Sequence, residues 1–434
     1  MILHSTNYKA PKVSLLEAIA NGIAPDGGLY MPDDLPRLPK AFFNNISEMS
    51  IHDIAFVVMN MLFGDVLSAA VMKKIVTNAL NFDIPLRKLD DNKYVLELFH
   101  GPTASFKDVG ARFMAHIVAE LGQNSEHRDI LLATSGDSGG AVANAFANVA
   151  NTRVCVAYPS GELTQEQVSQ FSSLRNVLAI EIDGSFDECQ HLVRDALLTG
   201  RHGIRLTSGN SINIARELPS LIYFFHAYAR ISALVGPSEK IVISIPCGNL
   251  GSFCAALMAK EMGLPVSRFI AANNANDVFV EYLKTGGFKP QKALITLARA
   301  MDVGNPSNIA RIIDLYHGEV SRLRESVDGY SYRDVEIAET MKQTYEDYGY
   351  IIDPQGATAL RAINRHLPPY AIGVSLASAH PGKSHTSVKK VLGPEVNIRG
   401  AKPMEKFRSF NHVKIPPTLG ALSKVLNRKD CVIR

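Results

Sequence analysis

From about residue 94 onward, short apolar runs alternate with helical spacings. The runs at 94–98, 130–133, 153–157, 177–182, 241–245, 268–272 and 371–376 have the length and apolar character of buried strands. Between most of them, apolar residues recur every three or four positions. Phe113, Met114, Ile117, Val118 and Leu121 do so after Lys107, and Phe253, Cys254, Leu257 and Met258 after Gly251. This alternation predicts an α/β architecture of parallel sheets flanked by helices. Residues 1–92 differ in texture and predict a helical N-terminal domain. Ser14 and Glu17 form a capping box, apolar helices follow near 51–63 and 66–80, and 82–92 reads as a connection. The expected organisation is then an α/β catalytic domain over 93–392, built of two subdomains, and a C-terminal tail over 393–434.

Composition narrows the function. The net charge of +3 over 434 residues, without a Lys/Arg block, argues against a nucleic-acid partner. The N-terminus lacks the pattern of a secretory signal, and the apolar windows near 54–63 and 371–377 are too short to cross a bilayer. Cys155, Cys189, Cys247, Cys254 and Cys431 are odd in number and scattered, which suits neither a disulfide framework nor a zinc site. The expectation is a cytoplasmic protein, with no metal and no membrane partner.

Ligands of parallel sheets sit beyond the carboxyl ends of the strands, so the turns there carry the candidate chemistry. Four stand out. In 98–108, Gly101-Pro102-Thr103 is turn chemistry and Lys107 opens a helix, where the positive helix end disfavours a cation. The plain reading is a solvated lysine beside Asp108. The functional one is an amine whose depressed pKa favours the neutral nucleophile of a Schiff base. In 134–140, small and hydroxyl residues at a helix start suit an anion such as a carboxylate; the plain reading is a tight turn capped by Ser138. Thr207-Ser208-Gly209-Asn210-Ser211 repeats that local pattern. In 245–252, Gly248 and Gly251 permit a close phosphate cradle but lack the three glycines of a dinucleotide fingerprint. In 377–384, Gly382-Lys383-Ser384 ends like a nucleotide P-loop. Ala377 replaces its first glycine and Pro381 removes an N–H, so the match reads as a decoy.

Taken in order, these motifs resemble the threonine synthase family, within the tryptophan-synthase-β-like class of pyridoxal-phosphate enzymes (fold type II). Asp26-Gly27-Gly28-Leu29-Tyr30-Met31-Pro32 is similar to the family's N-terminal signature, and 97–103 with Phe106-Lys107-Asp108 to its cofactor-lysine motif. The turns at 134–139 and 248–251, and Ala300-Met301-Asp302-Val303, follow in the family order.

The resemblance implies pyridoxal 5'-phosphate carried as an imine on Lys107, which also moves protons. It implies a cofactor phosphate on the amides of Gly248, Asn249, Leu250 and Gly251, Ser378 at the pyridine nitrogen, and Asp137 near the phenolic oxygen. It places the substrate carboxylate on Thr134, Ser135, Gly136 and Ser138, and the substrate phosphate on Ser211, Asn213 and Arg216. The implied reaction converts O-phospho-L-homoserine and water to L-threonine and phosphate, in a monomer or homodimer. Rival readings are a phospho-lyase yielding 2-oxobutyrate, a serine/threonine dehydratase, an ATP-binding P-loop protein and a non-catalytic cofactor-binding relative. The chain departs from the family at Cys247, Leu250, Ser138 and Ala377-Ser378. It also has Gln355 where a histidine is expected.

Overall fold

The computed structural model describes residues 1–121, 127–200, 205–236, 240–398 and 411–428. Cys431 lies outside them. Two sheets carry the molecule. The six-stranded sheet runs Val327–Ser331, Arg268–Asn273, Lys240–Pro246, Ala371–Ala377, Lys93–Glu97, Leu86–Asp90. All its pairings are parallel except the last. The five-stranded sheet is parallel throughout, in the order His412–Ile415, Val177–Ile182, Thr152–Pro159, Arg128–Ala133, Arg205–Ser208. Every residue of Thr152–Pro159 and of Ala371–Ala377 is buried. That is why these strands read as near-continuous apolar runs and not as alternating ones.

Three expectations need correction. The N-terminal region is not wholly helical: Val13–Ser14, Ile2–Ser5 and Tyr30–Pro32 form an antiparallel three-stranded sheet. The expected connection at 82–92 contains Leu86–Asp90, an edge strand paired with Lys93–Glu97, so the boundary after residue 92 cuts a hairpin. In the C-terminal tail, His412–Ile415 extends the five-stranded sheet, and Leu422, Val425 and Leu426 of the following helix bury into its core.

The helical expectations near the N-terminus hold. Ser14 and Glu17 cap Leu15–Asn21 reciprocally, and Ser50 and Asp53 do the same for Ile51–Phe63. Such caps are typically worth about 1 kcal/mol each. Ile51–Phe63 buries Ile54, Ala55, Val58, Met59, Leu62 and Phe63, one face at helical spacing, against the common core.

The helical run Ile214–Val235 is long and apolar enough to span a membrane, a window not singled out in the sequence. Its most apolar stretch is 78% buried inside the protein, as a core helix would be. Arg216 and Glu217 lie in its first turn.

Candidate active site

Loops leaving the carboxyl ends of the strands converge on one cavity of about 160 Å³. Backbone bonds fix the first of them. Leu98 N donates to Ala377 O (3.0 Å), Phe106 N to Ser378 O (2.8 Å) and His380 N to Ala104 O (3.0 Å). The stitched loops set where the helix Lys107–Leu121 begins and aim Lys107 into the cavity. Burial depresses the Lys107 pKa. Asp137, whose Oδ2 lies 3.8 Å from Nζ, opposes the shift, and the cations of Lys383 and Arg216 reinforce it. The shift is towards the neutral amine, as the turn suggested, although burial is the main cause.

The second wall is the turn at 134–138. Thr134 Oγ1 accepts from Gly136 N (2.9 Å) and Gly139 N (2.8 Å), so Thr134 satisfies N–H groups at this helix start; the N-cap residue is Gly136 and not Ser138. Thr134, Ser135, Asp137 and Ser138 line the cavity, whereas Gly136 is not among the lining residues. Asp137 opens the helix Asp137–Phe146. Burial works against its ionisation, but Lys383 and Lys107 outweigh burial and hold its pKa below the usual value.

Lys383 belongs to the motif read as a decoy. Its Nζ donates to Asp137 Oδ1 (3.0 Å) and to Thr103 O (3.0 Å). Its place is beside Lys107, across the shared partner Asp137, which the sequence did not disclose. Replacing Lys383 by methionine removes a cation that lowers the Lys107 pKa and frees Asp137 to pair with that amine. The Lys107 pKa should rise. The pH midpoint for acylation of Lys107 in the cofactor-free chain should move to higher pH, as mapped by peptide mass spectrometry. An unmoved midpoint would show that the two lysines do not communicate.

The third wall is the turn at 248–251. A Cβ on Gly248 would lie 3.0 Å from Met301 Cα and 3.2 Å from Ala300 O, which explains the Ala300-Met301 motif as a packing partner. Leu250 adopts φ 60°, and Gly251 opens the helix Gly251–Glu261. A Cβ on Gly251 would lie 2.8 Å from Glu217 Oε2. Asn249 is held from both ends: its Nδ2 donates to Ser211 Oγ (3.2 Å) and its Oδ1 accepts from Ser307 N (2.7 Å). All four residues of the turn line the cavity, as does Ser378.

The fourth wall is built on Ser211 and Arg216. Asn210 exchanges two hydrogen bonds with Ala133, tying this loop to the neighbouring strand end. Ser211 Oγ accepts from Asn249 and Asn308 amides, which leaves its O–H to donate. Arg216 donates from Nη1 to Gly209 O (2.7 Å), while its buried Nε has no protein partner. Burial lowers its pKa to about 10, so it stays charged at neutral pH.

Asn213 departs from expectation. Its Nδ2 donates to Ile19 O, Thr207 Oγ1 and Ser208 O, and its Oδ1 caps the helix from Ala215 N. With its amide consumed in this way, it stands behind the wall and supports it. Buried Arg311 is a further support. It donates to Tyr30 O, Ser211 O and Ile212 O, joining the N-terminal signature to the wall that carries Ser211. Gln355 lines the cavity with its buried Oε1 unpartnered. Cys247 is not among the lining residues and is core. Among the described residues no cluster could hold a metal ion.

These donors suit a phosphorylated aldehyde cofactor. A partly buried amine of lowered pKa shares the cavity with a main-chain cradle at a helix N-terminus, and the cradle's glycine positions are ones that a Cβ would crowd.

The comparisons agree. Residues 82–376 match the family model described as pyridoxal-phosphate dependent enzyme, and residues 3–80 the one described as threonine synthase N terminus. Threonine synthase from Serratia marcescens is 37% identical over 98% of this chain and 99% of its own. The crystal structure of threonine synthase from Escherichia coli superposes with a TM-score of 0.90 at 34% identity, covering 98% of this chain and 99% of that one. The PLP-bound threonine synthase from Brucella melitensis gives 0.89 at 30% identity, with 98% and 99% covered. Fold and site thus define a pyridoxal-phosphate-dependent enzyme of the tryptophan-synthase-β-like class. Within that class, the chain belongs to the threonine synthase family.

Proposed function

We propose that this cavity converts O-phospho-L-homoserine and water to L-threonine and inorganic phosphate. The observation that carries the reading is the meeting of a neutral-leaning lysine, a main-chain phosphate cradle and a second set of anion donors at Ser211 and Arg216. Two separate phosphate sites fit a phosphorylated cofactor and a phosphorylated substrate together.

Pyridoxal phosphate, when bound, supplies an electron sink that makes loss of the α- and β-protons feasible. Lys107 would hold it covalently, the amides of Gly248–Gly251 its phosphate, and Ser378 its ring nitrogen. Lys107 Nζ, once released, is the base for the α-proton. The start of the helix Asp137–Phe146, with Ser135 and Ser138, would orient the substrate carboxylate through its amides and hydroxyls. Arg216 Nε and the Ser211 hydroxyl would bind the γ-phosphate and stabilise the charge that develops as it leaves.

The assay is product analysis. Phosphohomoserine should yield threonine and phosphate in equal amounts, and unphosphorylated homoserine should not react. A product pool dominated by 2-oxobutyrate would overturn the reading in favour of a phospho-lyase.

Arg216 gives a sharper check. Arg216→Ala should raise the KM for phosphohomoserine about 10- to 100-fold, the worth of a charge-assisted hydrogen bond, with the cofactor spectrum unchanged. Arg216→Lys should not rescue it, because an ammonium lacks the planar fork. Normal kinetics in Arg216→Ala would assign the residue to structure alone.

A further inference from the structure

Glu217 is an acid that the chemistry above does not use. It is 2% exposed, lines the cavity, and has no hydrogen-bond partner for Oε1. Its other oxygen lies against Gly251, the first residue of the helix Gly251–Glu261, where the phosphate cradle opens. An ionised carboxylate there would compete with any phosphate for the same amides and repel it. A neutral carboxyl would instead add an O–H donor to the amides of the cradle.

We propose that Glu217 binds the cofactor phosphate as a neutral acid, donating its proton to a phosphate oxygen, so that cofactor affinity depends on Glu217 being protonated. The inference rests on the proposed placement of that phosphate on residues 248–251.

The surroundings support a protonated form. Burial raises the Glu217 pKa to about 7, against the opposing pull of Arg311 and Arg216. Arg216 precedes it on its own helix, Arg311 comes from Ile309–Leu315, and Cys254 faces it from Gly251–Glu261. Lys107 and Asp108, at the start of the helix Lys107–Leu121, act on Arg216. Arg311 spends its guanidinium donors on Tyr30, Ser211, Ile212 and Asn308, and forms no ion pair with Glu217 among the described residues. Arg216 likewise donates to Gly209 O. Both arginines moderate the acid without clamping it as a carboxylate.

The sign follows. Below its pKa, Glu217 is a neutral donor and the phosphate dianion is held. As pH rises through that value the proton leaves, charge repels charge, and affinity falls.

The test is equilibrium dialysis of pyridoxal phosphate against the full chain at a series of values between about pH 6 and about pH 8. Wild type, Glu217→Gln and Glu217→Ala are compared, with unphosphorylated pyridoxal as the control. The ionisation of the phosphate and of Lys107 is common to all three proteins and cancels in their ratios. Relative to Glu217→Gln, wild-type affinity should fall towards about 10-fold per pH unit above the acid's pKa, the limit for one linked proton. Glu217→Gln keeps a donor and should hold the cofactor across the series. Glu217→Ala should already be weaker at low pH, and pyridoxal should not distinguish the three. Parallel pH profiles for all three, with pyridoxal phosphate still bound far better than pyridoxal, would overturn the proposal and leave the cradle in place. Equal binding of pyridoxal and pyridoxal phosphate by the wild type would instead show that the cradle placement itself is wrong.

Discussion

Lys107→Ala should lower kcat/KM by about 1,000-fold or more, the upper range for removing a base that also carries the cofactor. No neighbouring group can take over. Lys383 is the other nearby amine, but its Nζ is held by Asp137 Oδ1 at 3.0 Å and by Thr103 O. The long-wavelength absorption of the purified protein should vanish with the lysine. Borohydride reduction of the wild type should fix the cofactor on the peptide containing Lys107 and leave the peptide of Lys383 unmodified. An adduct on Lys383 would reverse the assignment of the two amines. The variant should fold normally, because Lys107 is the first residue of its helix and the ion pair of its amine with Asp137 is long, at 3.8 Å.

Gly251→Asp should weaken retention of pyridoxal phosphate about 30- to 100-fold, corresponding to about 2–3 kcal/mol. Two effects add. Any Cβ at 251 would lie 2.8 Å from Glu217 Oε2, so the acid must move. A carboxylate at this helix end then opposes the incoming phosphate, which the amides and a neutral Glu217 would otherwise favour. Gly251→Ala separates bulk from charge and should show the smaller loss. Both are read by cofactor dialysis at neutral pH, alongside a thermal melt to establish folding. Unchanged affinity in a folded Gly251→Asp would mean that the phosphate lies elsewhere.

What was legible in the sequence follows burial. Strands such as 153–157 and 371–376 were readable because both faces are covered, every position is buried and most are apolar. Leu86–Asp90 was read as a connection because it is an edge strand, Leu-Arg-Lys-Leu-Asp, with polar residues towards solvent. Ile2–Ser5, Val13–Ser14 and Tyr30–Pro32 are too short for a period to emerge, and only their pairing defines them.

The same division runs through the site. The turns at 134–138 and 248–251 were visible because each follows a strand closely, and Lys107 because it opens the helix after the turn that leaves Lys93–Glu97. The Lys383–Asp137 pair was not, since it joins two turns far apart in the chain. Asn213 misled because it falls where the family resemblance implies a phosphate ligand, whereas its amide is spent holding the loop itself. Glu217 did leave a signal. Arg216-Glu217 is a charged pair in the first turn of the long apolar run Ile214–Val235, and such a pair must be buried together.

The central claim is that water is captured at the β-carbon after phosphate departs from the γ-carbon. Turnover of phosphohomoserine in heavy-oxygen water tests it directly. The account predicts the label in the threonine β-hydroxyl, with one phosphate released unlabelled for each threonine formed. Label in the released phosphate with an unlabelled homoserine product, or 2-oxobutyrate as the principal product from the first turnover, would contradict it.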